Sequence, residues 1–175
     1  LDLPVLNAPY EKVSLSEIGT FDFIHLSYVI EHLPDPKHLF QTAYTLLKPK
    51  GILCIEAPND FNILQKALVT HLNKKNYWIH VPVHVNYFHF ESLSKLFAKT
   101  GFRIVQKETG FPLEFFVLMG LDYIDNPKVG KKIHTMRMLF EKNLSVLGLN
   151  ELKENLYRSF ADQGIGRNCI IYGQK

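Results

Sequence analysis

The chain has 175 residues, 46% of them apolar and 13% aromatic, which suits one packed domain and excludes a disordered chain. Its formal charge of +3 is small and dispersed, which excludes nucleic acid as an obligate partner. No apolar run approaches the roughly 20 residues that cross a bilayer, and Cys54 and Cys169 fall in predicted buried strands, as free thiols of a cytoplasmic protein would.

In chain order, Leu3, Pro4 and Val5 read as the end of a strand. Phe21, Phe23, Ile24 and Leu26 form a short apolar run of the kind buried on both faces of a parallel sheet. Asp35 and Pro36 then cap and open a helix: the carboxylate accepts an orphan N–H, and proline's missing donor costs nothing in the first turn. Leu39, Phe40, Ala43, Leu46 and Leu47 repeat at helical spacing, and Lys48, Pro49 and Gly51 end the helix. Ile52 to Ala57 form a second apolar strand, so the unit is βαβ with a right-handed crossover.

Phe61, Leu64, Leu68 and Leu72 predict a helix capped by Asn59 or Asp60 and running to about Asn73. Ile79, Val81, Val83, Val85 and Tyr87 alternate with His80, Pro82, His84 and Asn86, which predicts an extended segment, restricted by Pro82 to a sheet edge or a loop, with its apolar side packed down and both imidazoles on the other side. Glu91 to Thr100 reads as a helix closed by Gly101, and Phe102 to Glu108 as a strand. Pro112 suits the first turn of an apolar stretch from Phe111 to Asp122, Asn126-Pro127 starts a long helix, and Asn150 caps another that runs to Asp162. Asn168 to Gly173 supplies the last strand.

The ordered set FD-x-I, VIEHLPDP and LLKPKGILCIEAPN resembles the central part of the class I S-adenosylmethionine-dependent methyltransferases, at the motifs after that fold's fourth and fifth strands. The resemblance implies a Rossmann-like α/β sheet with helices on both faces, whose seventh strand runs antiparallel to the rest. This chain would supply its last four strands, with residues 60–90 as an insert over the substrate side and residues 111–163 as a helical lid or dimer segment. The fold's first strand, glycine-rich loop and acidic residue are expected upstream of this sequence. Gly164 to Gly166 does not replace the loop, because it follows a helix and precedes a strand. On that expectation the strand at Phe21 has an unpaired edge, and the chain by itself is inactive and prone to self-association.

By the same resemblance Asn7 and Ala8 lie near the adenine, and Ser27, Tyr28 and Val29 lie beside the methyl donor, S-adenosylmethionine. The acceptor is a small molecule or a carrier-linked metabolite. Methyl transfer is a direct displacement that mainly requires alignment, with a base needed when the acceptor carries a proton. His32 and His84 are the candidates, since an imidazole titrates near neutrality; each could instead serve packing or hydrogen bonding. Glu31 is read as holding the turn through backbone N–H groups.

Some quinone-pathway O-methyltransferases resemble E-x-x-E-H at this turn, where two carboxylates and an imidazole hold a divalent ion. Here Tyr28, Glu31 and His32 stand in those places, so one hard oxygen ligand is lost and no metal is assigned. His80 and His84 have the spacing of a helical zinc pair but fall in an extended stretch with Pro82 inside it. Tyr28, Tyr77, Trp78, Tyr87 and Phe88 are candidate walls of an acceptor pocket. Lys128, Lys131, Lys132, Arg137 and Lys142 give one helix a basic face, either solvated or suited to a phosphate-bearing acceptor. A non-catalytic scaffold with the same fold is the alternative function, and a nicotinamide-dependent oxidoreductase fits the motifs less well.

Overall fold

The structure, a computed structural model, describes residues 5–8, 12 and 18–175. The expectations placed on Leu3 and Pro4 therefore lie outside the described residues. Four strands form one sheet in the order β1 (Phe21–Ser27), β2 (Leu47–Pro58), β4 (Asn168–Gln174), β3 (Arg103–Glu108). β1 and β2 pair in parallel, and β4 runs antiparallel between β2 and β3. This is the antiparallel last strand that the resemblance implies, in a mixed α/β, Rossmann-like sheet of four strands among the described residues.

Between β1 and β2 lie a 3₁₀ turn, Ile30–His32, and helix α1, Pro36–Leu46. The Asp35 side chain accepts from the His38 N–H at 3.0 Å, the N-cap expected of Asp-Pro. After β2 come α2 (Ile63–Leu72) and α3 (Phe90–Lys99). Between β3 and β4 run α4 (Glu114–Leu118), α5 (Pro127–Val146) and α6 (Asn150–Asp162).

The core lies where α1 and α3 pack side by side on the sheet. Leu53, Ile55 and Ala57 of β2 and Cys169 and Ile171 of β4 face Phe40, Leu93 and Phe97, all buried. Phe40 meets Phe97 edge-on with centroids 4.9 Å apart. Such pairs contribute about 0.5–1.5 kcal/mol beyond area burial. Gly173 permits this packing: a Cβ there would stand 2.4 Å from the Phe97 ring. Among the described residues no helix is long and apolar enough to cross a membrane.

Five local expectations need correction. α1 ends at Leu46, and residues 47–51 belong to β2 rather than to the helix and its exit. β1 is not buried on both faces: among the described residues it pairs only with β2, and Phe23 remains 52% exposed. α2 starts later than predicted, because Asn62, rather than Asn59 or Asp60, forms a reciprocal capping box with Gln65. Asn150 is the first residue of α6, and Leu149 holds the cap position. Finally, residues 79–87 form the loop that Pro82 allows, but it is neither extended nor packed down by its valines. The His84 N–H closes a turn onto the His80 carbonyl at 2.9 Å, and Val81, Val83 and Val85 are exposed. The Val85 and Asn86 amides bond to the Glu31 carbonyl, at 2.9 and 3.0 Å.

Candidate active site

The parallel pairing places the carboxyl ends of β1 and β2 at one edge, and antiparallel β4 begins there: Ser27 lies opposite Glu56 and Pro58 opposite Asn168. In open α/β sheets ligands collect at this edge. The chain leaves β1 at Tyr28, whose φ of +53° turns it sharply out of the strand. The short 3₁₀ turn that follows buries Ile30 and Glu31 and leaves His32 half exposed.

The 79–87 connection is fastened over this turn. Besides the two amides on the Glu31 carbonyl, Asn86 donates its side-chain amide to the Leu33 carbonyl at 2.6 Å. His32 Nδ1 lies 2.9 Å from the Val83 carbonyl oxygen. A carbonyl only accepts, so Nδ1 donates in this contact, and the neutral ring would be the Nδ1–H tautomer. Nε2 lies 3.8 Å from a Glu31 carboxylate oxygen. The His84 ring stands against that of His32, edge-on at 5.0 Å, and against that of His80 at 5.2 Å.

Electrostatics separates these groups. Burial pulls the His84 pKa below the ordinary histidine value, and the neighbouring imidazoles of His32 and His80 pull the same way, so its neutral form is favoured. Burial pushes Glu31 above the usual carboxylate range. It carries Asp60 up to about 7, with the negative charge of Glu31 adding to the effect. The arrangement therefore offers one imidazole whose neutral form is favoured, that of His84, next to desolvated carboxyls.

Glu31, His32 and His84 each present a ligand atom, all within 4.8 Å of one another. One carboxylate and two imidazoles suit a borderline ion such as zinc better than magnesium, which favours oxygen donors. His84 enters this group from a distant segment that no local spacing revealed.

The other sequence-predicted residues distribute unevenly. Ser27 donates its hydroxyl to Glu56 at 2.7 Å, and Asn168 donates to the other oxygen of the same carboxylate. The Val29 carbonyl accepts from the His32 N–H at 3.1 Å. Tyr28 presents a ring 40% exposed at the edge, so the chemistry it offers a sulfonium or adenine is an aromatic face. Asn7 and Ala8 are exposed, and among the described residues no hydrogen bond ties either to this edge.

Sequence reasoning missed a cavity of about 220 Å³ beside the cluster, walled by Asp60, Tyr77, Trp78, His84, Glu114 and Arg167 among others. Tyr77 and Trp78 line it as expected of pocket aromatics; Tyr28, Tyr87 and Phe88 do not. Tyr87 instead accepts the His80 N–H at 3.2 Å. A larger, open depression lies elsewhere, beside Asn62, His89 and Lys95, and shares no residue with the histidine cluster. Of the basic residues on α5, Arg137 pairs with Glu141 at 2.9 Å, while Lys128, Lys131, Lys132 and Lys142 are exposed.

The strand order, the antiparallel insertion of β4 and the crowded edge after β1 define a class I S-adenosylmethionine-dependent methyltransferase fold. Residues 6–107, more than half of the chain, match the methyltransferase domain family, and the chain belongs to that family. It is 34% identical over 62 residues to a ubiquinone biosynthesis O-methyltransferase of Colwellia psychrerythraea, a match covering 35% of this chain and 23% of that protein. Among solved structures, the mycolic acid cyclopropane synthase CmaA1 in complex with SAH and CTAB superposes with a TM-score of 0.52 at 13% identity, over 97% of this chain and 59% of that one. The cyclopropane synthase MmaA2 from Mycobacterium tuberculosis gives 0.51 at 16% identity, over 100% and 62%. The chain thus spans less than a quarter of that curated relative and about three fifths of these structural ones.

Proposed function

We propose that the protein transfers a methyl group from S-adenosylmethionine to a small-molecule or carrier-linked acceptor held over the carboxyl ends of β1 and β2. The observation that carries this reading is the His32–His84 pair, with rings 5.0 Å apart and His32 anchored at that edge through Nδ1 on the Val83 carbonyl. When bound, the cofactor supplies a methyl on a sulfonium, which leaves as a neutral thioether. The chain's own share is to wall the donor with Tyr28, to seat the acceptor beside the histidines, and to receive the acceptor's proton on His32 or His84.

Residues 60–90 act as the insert over the acceptor, a role supported by Asp60, Tyr77, Trp78 and His84 in the cavity wall. Residues 111–163 act as a lid, supported by Ile133 and Arg137 of α5, which wall an adjoining cavity that shares Leu113, Tyr123 and Arg167 with the first. The buried thiols of Cys54 and Cys169 support a cytoplasmic setting. The test is calorimetric titration of the product of the complete reading frame with S-adenosylhomocysteine. Saturable binding that Tyr28→Ala weakens is expected, and absence of binding would overturn the reading.

A further inference from the structure

The cavity beside the histidines collects buried polar atoms that lack partners. Asp60 Oδ2, Glu114 Oε2 and Trp78 Nε1 are enclosed and accept or donate no hydrogen bond among the described residues, and so is His84 Nδ1. Asp60 and Glu114 are each 3% exposed and Trp78 5%. Leaving such groups unpaired costs about 1–3 kcal/mol each, more for a charged one. A fold that keeps several of them around one hollow is built for an occupant.

Their chemistry specifies that occupant. Two of the unpaired atoms are carboxyl oxygens, on side chains from different elements, Asp60 after β2 and Glu114 opening α4. The second Glu114 oxygen accepts from the Tyr77 hydroxyl at 2.9 Å, which fixes the carboxyl against the wall. Tyr77, Trp78 and Tyr123 complete that wall with aromatic rings. Burial holds both acids above the usual carboxylate range, and a cation with N–H donors between them draws them to the carboxylate form, by charge-assisted hydrogen bonds and alongside the ring quadrupoles. Arg167 also borders the cavity, but it is exposed, so solvent screens its charge more than it screens the enclosed acids. His80 and His84 are the remaining titratable groups on the wall besides the two tyrosines.

We propose that this cavity is the recognition subsite for an ammonium group of the acceptor, held between Asp60 and Glu114 against Tyr77 and Trp78, so that the acceptor is a small amine. This rests on the acceptor-side reading given above, but it is tested without methyl transfer. Trp78 is the chain's single tryptophan, so its fluorescence reports occupancy directly. The probes are benzylamine and propylamine, each titrated against the matching alcohol, with no cofactor present.

Saturable change of Trp78 emission by the amines, at concentrations at least tenfold below those the alcohols require, is the expected result. Asp60→Asn and Glu114→Gln, which keep shape and remove charge, should each erase most of that preference while leaving the weak response to alcohols. Equal binding of amine and alcohol by the unaltered chain would overturn the proposal, whether or not the variants fold. So would an amine preference unchanged in both folded variants. Amine binding without S-adenosylhomocysteine binding by the product of the complete reading frame would instead sink the methyltransferase reading and leave the subsite standing.

Discussion

His32 Nδ1 sits 2.9 Å from the carbonyl oxygen of Val83, a residue 51 positions later in the chain. That single contact makes Nδ1 a donor, orients the ring with Nε2 toward Glu31, and ties the 79–87 connection to the turn after β1. Replacing His32 with Ala should cost about 1 kcal/mol of stability for the lost hydrogen bond. Methyl transfer should slow by about 10²–10⁴-fold if His32 is the base. Comparing kcat with the S-adenosylhomocysteine Kd separates the roles: kcat falls while Kd stays within about threefold. An unchanged kcat would move the proton to His84.

The pH profile addresses His84. Its pKa lies below the ordinary histidine value because of burial and because His32 and His80 face it. Its basic form is therefore lost only as pH falls beneath the usual histidine range, and the acid limb of kcat should lie there. His32→Gln and His80→Gln each remove a neighbour whose charge opposes protonation, so each should shift that limb to higher pH. A limb that stays in place in both variants would remove His84 from the rate.

The fold was largely legible because its signals are local. Asp35-Pro36 caps α1, Asn126 caps α5, and the apolar runs of β2 and β4 lie where their composition placed them. Residues 79–87 misled because alternation of valine with histidine carries the period of a strand, while the backbone amides find their acceptors at Glu31, a partner that no local pattern encodes. The histidines of the site were visible as residue types. The pairing of His84 with His32, and of Asp60 with Glu114 across the cavity, depends on four separate segments meeting at one edge, and single-sequence spacing holds no record of that.

Stability should carry the imprint of Asp60. Its folded-state pKa is raised to about 7, from an ordinary value of about 3.9 in the unfolded chain. The folded state therefore binds the extra proton between these values. This contribution is fully present below about pH 4 and is lost as pH rises through about 7. Asp60→Asn, with no proton to lose, should flatten the fall in Tm between pH 5 and pH 8 relative to the parent. Parallel Tm curves for the two proteins would show that the Asp60 carboxyl is not held protonated.

Metal dependence can be decided directly. Glu31, His32 and His84 are close enough to share an ion, yet the proton-acceptor reading needs the imidazole lone pairs free. Turnover should survive prolonged dialysis against EDTA without loss. Loss of activity restored by zinc would reassign the three side chains to a metal and end the general-base account.

Gly166 links the scaffold to the site. Its carbonyl accepts from the Asn59 side chain at 3.1 Å, and its φ of +121° is one that side-chain-bearing residues rarely adopt. A Cβ at this position would stand 2.0 Å from the Thr109 hydroxyl oxygen and 2.7 Å from the Thr109 Cβ. Thr109 cannot retreat cheaply, because its hydroxyl donates to the Asn168 carbonyl at 2.6 Å. Asn168 in turn accepts from the Gly110 N–H at 2.6 Å through its side chain and donates to Glu56. Gly166→Ala should therefore destabilise by about 2–4 kcal/mol, combining backbone strain with overpacking. At about 2–4 °C per kcal/mol for a domain of this size, Tm should drop by about 4–16 °C. The displaced Arg167 should also loosen the cavity wall, read as a change in Trp78 emission in the folded variant below its melting range. Full retention of Tm would show that the 164–168 connection relaxes freely, and that Asn59 and Asn168 do not hold the carboxyl edge rigid.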